Sequence, residues 1–218
     1  MAQVSWTWAV LLVLAYLAGS LPTGLWVGRL TAGVDVRSLG SRRTGATNVQ
    51  RVVGLRAGLM VAAMDVAKGL VPVLLVRAIT GNAYLAAVAG VLTVVGHVWP
   101  VFAGFDGGRG VSTTAGALAA LAPVPFLCCF LVMVAAVAVT RYVSLGSLAA
   151  AYTAGPFTAF WLGRSPETDA ALVVAVVAGA LVALKHPDNV HRLLHGTERR
   201  FGGKREPVAI SVEPRKEL

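Results

Sequence analysis

Long apolar runs separated by short polar stretches make up most of this sequence. A run of about 20 apolar residues is long enough to cross a lipid bilayer as a helix. One continuous apolar run, residues 111–139, would form a helix of about 42 Å, well beyond a hydrocarbon core of about 30 Å, and Pro123 and Pro125 interrupt it. Divided there, the pattern predicts an all-α integral membrane protein with seven transmembrane helices, at 6–27, 57–76, 83–98, 111–121, 124–139, 143–162 and 170–184.

Basic residues decide the predicted orientation, because cytoplasmic loops carry an excess of Lys and Arg. With seven spans, the basic loop at 35–51 and the basic tail after residue 184 lie on the same side of the membrane, whereas six spans would separate them. We therefore expect an extracytoplasmic N-terminus and a cytoplasmic C-terminus. A cleaved signal peptide is the competing interpretation of the first run, but no Lys or Arg precedes Arg29, so the usual basic region is missing.

The domain prediction follows from the same pattern. Residues 1–198 are expected to form one seven-helix membrane domain, and residues 199–218 a polar, disordered cytoplasmic tail that contains Pro207 and Pro214. The composition agrees, with 56% hydrophobic and 13% charged residues against about 25% charged in soluble domains. A net charge of +9 could suggest a nucleic-acid partner, but membrane topology explains a basic excess equally well and the apolar content favours that explanation.

The cysteines and histidines of the sequence give little support for a metal site or a disulfide. Cys128 and Cys129 are adjacent inside an apolar run and are too few for a disulfide framework or a zinc site. His191 and His195 have an i, i+4 spacing, but no further ligands accompany them. We predict no metal and no cofactor.

The polar loop at 35–51 is the first candidate for chemistry. Its four arginines, Arg37, Arg42, Arg43 and Arg51, would attract anions, and the backbone around Gly40 and Gly45 could approach a phosphate closely because glycine has no side chain. We therefore expect this loop to hold a phosphorylated substrate. The alternative is a loop that is basic for topological reasons alone.

A second polar segment contains Gly107, Gly108, Arg109 and Gly110 and leads into the predicted helix at 111. Unpaired amides and the positive end of the helix dipole make such a start an anion site, and Arg109 adds a charge. The spacing differs from that of a Walker A loop, so nucleotide binding is not predicted. Close helix packing through the glycines is the alternative explanation.

Three smaller polar groups complete the candidates. Ser144 and Ser147 follow Arg141 at a junction between two spans, and His186 and Asn189 follow the last span, so their hydroxyl, imidazole and amide groups could reach the same site. Each could instead be only an interfacial residue. Within the second span, Asp65 and Lys68 lie on one helical face, and we expect a buried pair that either holds helices together or positions the adjacent loop.

Together these segments resemble the acyl-phosphate:glycerol-3-phosphate acyltransferase family, membrane-embedded bacterial enzymes that make lysophosphatidic acid. The resemblance extends from residue 19 to about residue 198. The motifs that carry it are Gly19-Ser-Leu-Pro-Thr-Gly24, Asp35-x-Arg37-x-x-Gly40-Ser41, Gly45-Ala-Thr-Asn48 with Arg51, Asp65-x-x-Lys68-Gly69, Gly96-His-x-x-Pro100, Phe102, Phe105-x-Gly107-Gly-x-Gly-Val111, Arg141-Tyr-Val-Ser144 and the His186/Asn189 segment.

The resemblance implies a site, a reaction and a location in the bacterial cytoplasmic membrane, with the active site toward the cytoplasm. It also implies that acyl phosphate and glycerol 3-phosphate are the substrates. The catalytic residues it implies are Ser41, Arg51, Arg109, His186 and Asn189. The phosphate-binding residues it implies are Gly40, Gly45, Asn48, Gly107, Gly108, Gly110, Ser144 and Ser147.

This chain departs from the family pattern at two places. The family usually has Gly-Asn after the serine of the first loop, where this chain has Arg42-Arg43, and usually has lysine where this chain has Arg109. Arginine keeps the charge of lysine but presents a planar fork, so the geometry at that position differs.

The chemistry suits the residue types, because an acyl phosphate is already activated and needs no covalent nucleophile. The hydroxyl of glycerol 3-phosphate would attack the acyl carbonyl while arginines and loop amides stabilise the developing negative charge. His186 or a substrate phosphate could accept the proton. A transporter for a phosphorylated small molecule and a non-catalytic membrane scaffold are the rival hypotheses.

Overall fold

The computed structural model describes residues 6–162 and 165–202, and within these ranges all regular structure is helical. Short turns of other helix types occur at Val101–Ala103 (3-10) and Val174–Ala178 (π). The α-helices are α1 Trp6–Gly19, α2 Thr23–Ala32, α3 Ala46–Val52, α4 Leu55–Thr80, α5 Ala83–Val98, α6 Val111–Leu121, α7 Pro123–Thr140, α8 Val143–Leu162, α9 Pro166–Val173, α10 Gly179–Leu184 and α11 Pro187–Leu194.

Five helical segments in the described ranges are long and apolar enough to cross a membrane, so the chain is an all-helical multi-pass membrane protein. They are Trp6–Ala32, Leu55–Thr80, Ala83–Ala103, Pro123–Thr140 and Pro166–Leu184. The other two predicted spans are helices too, but α6 is a shorter apolar helix of 11 residues. The count of seven spans and the orientation of the termini therefore stay predictions.

The helix boundaries agree closely with the apolar pattern except in the first span. The predicted helices at 83–98, 111–121 and 143–162 have the same bounds in the structure. The first span, predicted over 6–27, falls within the candidate span Trp6–Ala32, but its helix is interrupted, because α1 ends at Gly19 and α2 begins at Thr23. Pro22, which has no backbone N–H to continue the α1 ladder, lies in the break.

Two short helices lie outside the predicted spans. Helix α3 occupies the C-terminal part of the loop at 35–51, and α11 follows the last apolar segment. Glycines let the longer helices touch backbone to backbone: a side chain at Gly69 would meet the carbonyl of Thr113, and one at Gly116 would meet the carbonyl of Val66. This close approach fixes the start of α6 against α4.

The predicted pair of Asp65 and Lys68 is present and belongs to a larger group, which we call the Asp65 cluster. Lys68 Nζ lies 2.8 Å from Asp65 Oδ1 and donates a 3.0 Å hydrogen bond to the carbonyl of Leu21. The hydroxyl of Thr23 donates to the same carboxylate at 2.6 Å, and His97 Nδ1 lies 3.6 Å from it. The cluster thus ties the break between α1 and α2 to α4 and α5.

The beginning of the predicted disordered tail is folded against the helices. The guanidinium of Arg199 donates to the carbonyl of Gly40 at 3.4 Å. The backbone N–H of Phe201 donates to the carbonyl of Arg141 at 2.6 Å, and Arg141 Nη2 donates back to the carbonyl of Phe201 at 2.9 Å. The ordered unit therefore extends past residue 198, and the predicted disorder of 203–218 lies outside the described residues.

Candidate active site

A polar cavity of about 220 Å³ opens where the first loop, the start of α6, the start of α8 and α11 meet. Ten of the thirteen residues predicted for the site line it, so four segments that are distant in sequence converge as expected. These ten are Ser41, Gly45, Asn48, Arg51, Arg109, Gly110, Ser144, Ser147, His186 and Asn189. Gly40, Gly107 and Gly108 lie outside its lining.

Asn48 organises the first loop. Its amide nitrogen donates to the carbonyls of Val36, Leu39 and Arg43 at 2.8, 3.2 and 2.9 Å, and its amide oxygen accepts from the backbone N–H of Ser41 at 2.7 Å. Gly40 has φ +61°, and a side chain there would collide with the Asn48 amide. Asn48 was predicted to bind phosphate, but in the structure its side chain holds the loop that presents Ser41 and Arg43.

The four arginines of the first loop divide into two groups. Arg37 pairs with Asp35 at 2.8 Å and donates to the carbonyl of Ala103 at 3.1 Å, so it fastens this loop to the next one. The hydrogen bonds from Arg37 hold the pKa of Asp35 well below its usual range. Arg42 is exposed, whereas Arg43 and Arg51 line the cavity. The expectation that all four face an anion is therefore wrong for Arg37 and Arg42.

The glycine turn serves packing in its first half and the cavity in its second. A side chain at Gly107 would meet the carbonyl of His97, and one at Gly108 would meet the imidazole of His97. Gly108 also donates to the His97 carbonyl at 3.2 Å. Farther along, Gly110 and the first residues of α6 line the cavity, so the positive end of the helix dipole opens on it.

Arg109 is a poorly solvated cation. Burial, together with the nearby charges of Arg43 and Arg192, lowers the pKa of its guanidinium to about 10. Its Nε has no hydrogen-bond partner among the described residues. An arginine in this state gains more than an exposed one when an anion enters the cavity, because the anion supplies both the charge and the hydrogen bonds it lacks.

Glu198 is a buried carboxylate in the cavity wall that sequence reasoning missed. Its Oε1 accepts from Ser144 Oγ at 3.0 Å and from Asn189 Nδ2 at 2.7 Å, while Oε2 accepts from Arg192 Nε at 2.8 Å. Burial raises the pKa of this carboxyl, but these hydrogen bonds outweigh burial and hold the pKa below its usual value. The only sequence signal was an acidic residue inside a basic segment.

His186 is buried and neutral. Its Nδ1 lies 2.6 Å from the carbonyl of Val182, so Nδ1 carries the proton and Nε2 keeps a lone pair. Burial lowers the pKa of the imidazole to about 4, and the charge of Arg109 acts in the same direction. His186 can therefore accept a hydrogen bond through Nε2 at neutral pH, although its basicity is low.

Four buried polar atoms belong to residues that line the cavity and have no hydrogen-bond partner among the described residues. They are Ser41 Oγ, His97 Nδ1, Arg109 Nε and Asn189 Oδ1. Buried polar groups are normally paired, so unpaired ones gathered around one cavity indicate a site for a polar ligand.

An apolar cavity, also of about 220 Å³, adjoins the polar one between α4, α6, α7 and α8. Phe126, Phe130 and Cys129 are among its lining residues. Ala62, Val111, Ser112, Met133 and Ser147 line both cavities. Arg141, which precedes this junction, bonds to Phe201 instead of entering the site.

Comparisons with known proteins agree with this arrangement. The family model described as Glycerol-3-phosphate acyltransferase matches residues 9–196. A glycerol-3-phosphate acyltransferase 2 of Moorella thermoacetica is 45% identical over 195 residues, which are 89% of this chain and 98% of that protein. A glycerol-3-phosphate acyltransferase of Solidesulfovibrio magneticus is 43% identical over 91% of this chain and 97% of that protein.

The fold is also similar to a solved structure. The crystal structure of PlsY (YgiH), an integral membrane glycerol 3-phosphate acyltransferase, in its glycerol 3-phosphate form, superposes with a TM-score of 0.83. The two sequences are 39% identical, and the match covers 90% of this chain and 96% of that one. A lysophosphatidic acid form of the same protein gives a TM-score of 0.81 at 38% identity. This chain belongs to the glycerol-3-phosphate acyltransferase family of integral membrane proteins.

Proposed function

We propose that this protein transfers a fatty acyl group from acyl phosphate to glycerol 3-phosphate, giving 1-acylglycerol 3-phosphate and phosphate. The single observation that carries the proposal, beside family membership, is the pair of adjoining cavities. One is lined by arginines and unpaired polar atoms, and the other is apolar. A fatty acyl phosphate needs both environments, and its carbonyl must lie where they meet, near Ser112 and Ser147.

The cavity residues divide the work of binding. Arg51, Arg109 and the first amides of α6 bind phosphate oxygens and stabilise negative charge as it develops on the carbonyl oxygen. Ser41 donates its unpaired hydroxyl, and Asn189, oriented by Glu198, offers its unpaired oxygen to a substrate hydroxyl. The walls around them are shaped by Gly45, Asn48, Gly110, Ser144 and Ser147.

The reaction needs no covalent enzyme intermediate. A hydroxyl oxygen of glycerol 3-phosphate forms a bond to the acyl carbon, and the bond between that carbon and the phosphate oxygen breaks, with the electron pair leaving on phosphate. The hydroxyl proton ends on the released phosphate, so the products balance. With its low pKa, His186 serves better as a hydrogen-bond acceptor that orients the hydroxyl than as the final base.

We further infer the arrangement in the membrane. Residues 1–198 act as one seven-span unit in a bacterial cytoplasmic membrane, with the N-terminus outside and the cavity toward the cytoplasm. The distribution of basic residues supports this orientation. A cysteine at His195 should react with a membrane-impermeant reagent only in inverted vesicles, and a cysteine at Tyr84 only in right-side-out ones; both side chains are exposed. Equal labelling of the two cysteines in one type of vesicle would contradict this topology.

Turnover by the purified protein tests the activity. Acyl phosphate and labelled glycerol 3-phosphate are supplied together, and we expect lysophosphatidic acid and phosphate to appear in equal amounts. Absence of product together with uptake of glycerol 3-phosphate into vesicles would support the transporter hypothesis. Absence of both would support the scaffold hypothesis.

A further inference from the structure

Arg43 bridges three segments at the edge of the polar cavity. It lines the cavity, its Nη1 lies 3.5 Å from Asp106 Oδ1, and its Nη2 lies 4.0 Å from Asp188 Oδ2. Asp106 precedes the glycine turn, and Asp188 is in the first turn of α11. The guanidinium therefore stands where the first loop, the second loop and α11 meet.

The two ion pairs of Arg43 are weak enough to be exchanged. Both are longer than an ordinary hydrogen bond, and the side chains are 34% exposed for Arg43, 50% for Asp106 and 64% for Asp188. Solvent-exposed ion pairs contribute little to stability. The backbone of Arg43, by contrast, is held firmly, because its carbonyl accepts the 2.9 Å hydrogen bond from Asn48.

The negative charge of the two substrates exceeds the positive charge that Arg51 and Arg109 supply. Each substrate carries a phosphate with a charge of about −1.5 to −2 at neutral pH. Among the arginines near the cavity, Arg192 is already paired with the buried Glu198 at 2.8 Å. Arg51 and Arg109 together supply two positive charges, fewer than two bound phosphates bring. Arg43 is the further cation in the lining that is paired only with exposed carboxylates in the described part of the chain.

We propose that Arg43 binds the phosphate of glycerol 3-phosphate, exchanging Asp106 and Asp188 for phosphate oxygens when that substrate enters. This rests on the proposed function. The water-soluble substrate is the one assigned, because Arg43 lies on the partly exposed side of the cavity, whereas the acyl phosphate must place its carbonyl at the junction with the apolar cavity.

The adjacent arginine provides the matched control. Arg43→Gln and Arg42→Gln remove the same charge from neighbouring positions, but Arg42 is exposed and is not among the lining residues. We expect Arg43→Gln to raise the KM for glycerol 3-phosphate roughly tenfold or more, as for the loss of a charged hydrogen bond, with the KM for acyl phosphate changed less than about twofold. Arg42→Gln should change both less than about twofold.

Direct binding separates this proposal from the proposed function. Titration calorimetry with glycerol 3-phosphate alone, without acyl phosphate, should show the same tenfold difference between the two variants. If the wild-type protein has no turnover but this difference appears, the proposed function fails and the assignment of Arg43 stands. Equal affinities for the two variants, or a change confined to acyl phosphate, would overturn it.

Two further variants test the exchange itself. Arg43→Lys keeps the charge and should give a KM for glycerol 3-phosphate between those of wild type and Arg43→Gln, which also serves if Arg43→Gln is poorly folded. Asp188→Asn should tighten binding of glycerol 3-phosphate about twofold in the wild type and leave it unchanged beside Arg43→Gln. If Asp188→Asn changed the affinity for glycerol 3-phosphate equally in the wild type and in Arg43→Gln, Asp188 would act only as a distant charge. That result would overturn the exchange.

Discussion

Two groups of buried charges lie side by side in this bundle and are built in opposite ways. In the Asp65 cluster, the carboxylate has Lys68 at 2.8 Å and Thr23 at 2.6 Å, and Lys68 also reaches a backbone carbonyl. In the polar cavity, Arg109 has no ion pair within the described residues, and its Nε has no hydrogen-bond partner there. The charges of Asp65 and Lys68 therefore compensate each other within the chain, whereas the charge of Arg109 is uncompensated within the described residues.

The difference separates structure from function. A charge removed from water costs free energy unless a partner compensates it. Lys68 is compensated by its own chain and should stabilise the fold. Burial and the nearby charges of Arg43 and Arg192 lower the pKa of Arg109 to about 10, and we expect its unmet interactions to be made with substrate.

The largest effect on stability is expected when the Asp65–Lys68 ion pair is broken. Lys68→Met should lower the free energy of unfolding by about 3–5 kcal/mol, because it leaves the Asp65 charge buried without its cation. Thermal unfolding in detergent, followed by tryptophan fluorescence, measures this, and kcat of the folded protein should stay within about threefold. Lys185→Met is the control: the Lys185 ammonium covers the ring of Trp99, and its loss should cost less than about 1 kcal/mol. Equal losses in the two variants would contradict the structural role of Lys68.

Removing Arg109 from the polar cavity should have the opposite effect: activity should be lost and stability kept. Arg109→Met should lower kcat/KM by roughly 10²–10³, the cost of losing a donor to a developing oxyanion. The Tm should stay the same or rise, since a desolvated cation disappears. Arg109→Lys, the residue usual in the family, should retain most of the activity. A variant that loses its Tm along with its activity would show that Arg109 is structural.

Ser41, a neutral residue of the cavity, should likewise affect activity without affecting stability, but by a smaller factor. Ser41→Ala should reduce kcat/KM roughly 10- to 100-fold, as expected for a hydrogen bond to a charged group, without lowering the Tm, because its hydroxyl has no partner within the described chain. Ser38→Ala, which removes an exposed hydroxyl bonded to the carbonyl of Asp35, should leave kcat/KM within about twofold. Steady-state kinetics measure both variants. Equal values of kcat/KM for Ser41→Ala and Ser38→Ala would contradict the placement of Ser41 in the site.

The smallest effect concerns pH. Burial lowers the pKa of His186 in the folded protein from 6.5 to about 4, so the unfolded chain binds more protons between these values. Stability should therefore be constant above about pH 7 and fall as the pH drops to 5, with a Tm decrease of about 2–4 °C. The contribution of Glu198 is lost only below its unfolded pKa of 4.5. His186→Gln should flatten the Tm profile, and an unchanged slope would refute a neutral His186.

Much of the fold was predictable from sequence, because apolar runs of bilayer length leave few alternatives. The helices at 83–98, 111–121 and 143–162 followed directly from that pattern. The break at Ser20–Pro22 was missed because the apolar run continues through it. Helix α3 was missed because Gly45 and the surrounding polar residues are typical of a loop.

The site was predictable in its members but not in their contacts. Motif residues from four segments line one cavity, yet the sequence could not show that Asn48 is occupied by the loop backbone or that Gly107 and Gly108 pack against His97. Glu198 was missed for the same reason. Its partners Ser144, Asn189 and Arg192 lie 54, 9 and 6 residues away, and only the folded chain brings them together.

The most direct test measures Tm and kcat/KM on the same preparations of wild type, Lys68→Met and Arg109→Met. We expect opposite results: Lys68→Met should lose stability and retain kcat/KM, while Arg109→Met should retain stability and lose kcat/KM by roughly 10²–10³. Loss of both stability and kcat/KM in each variant would contradict the assignment of Lys68 to the fold and of Arg109 to the reaction.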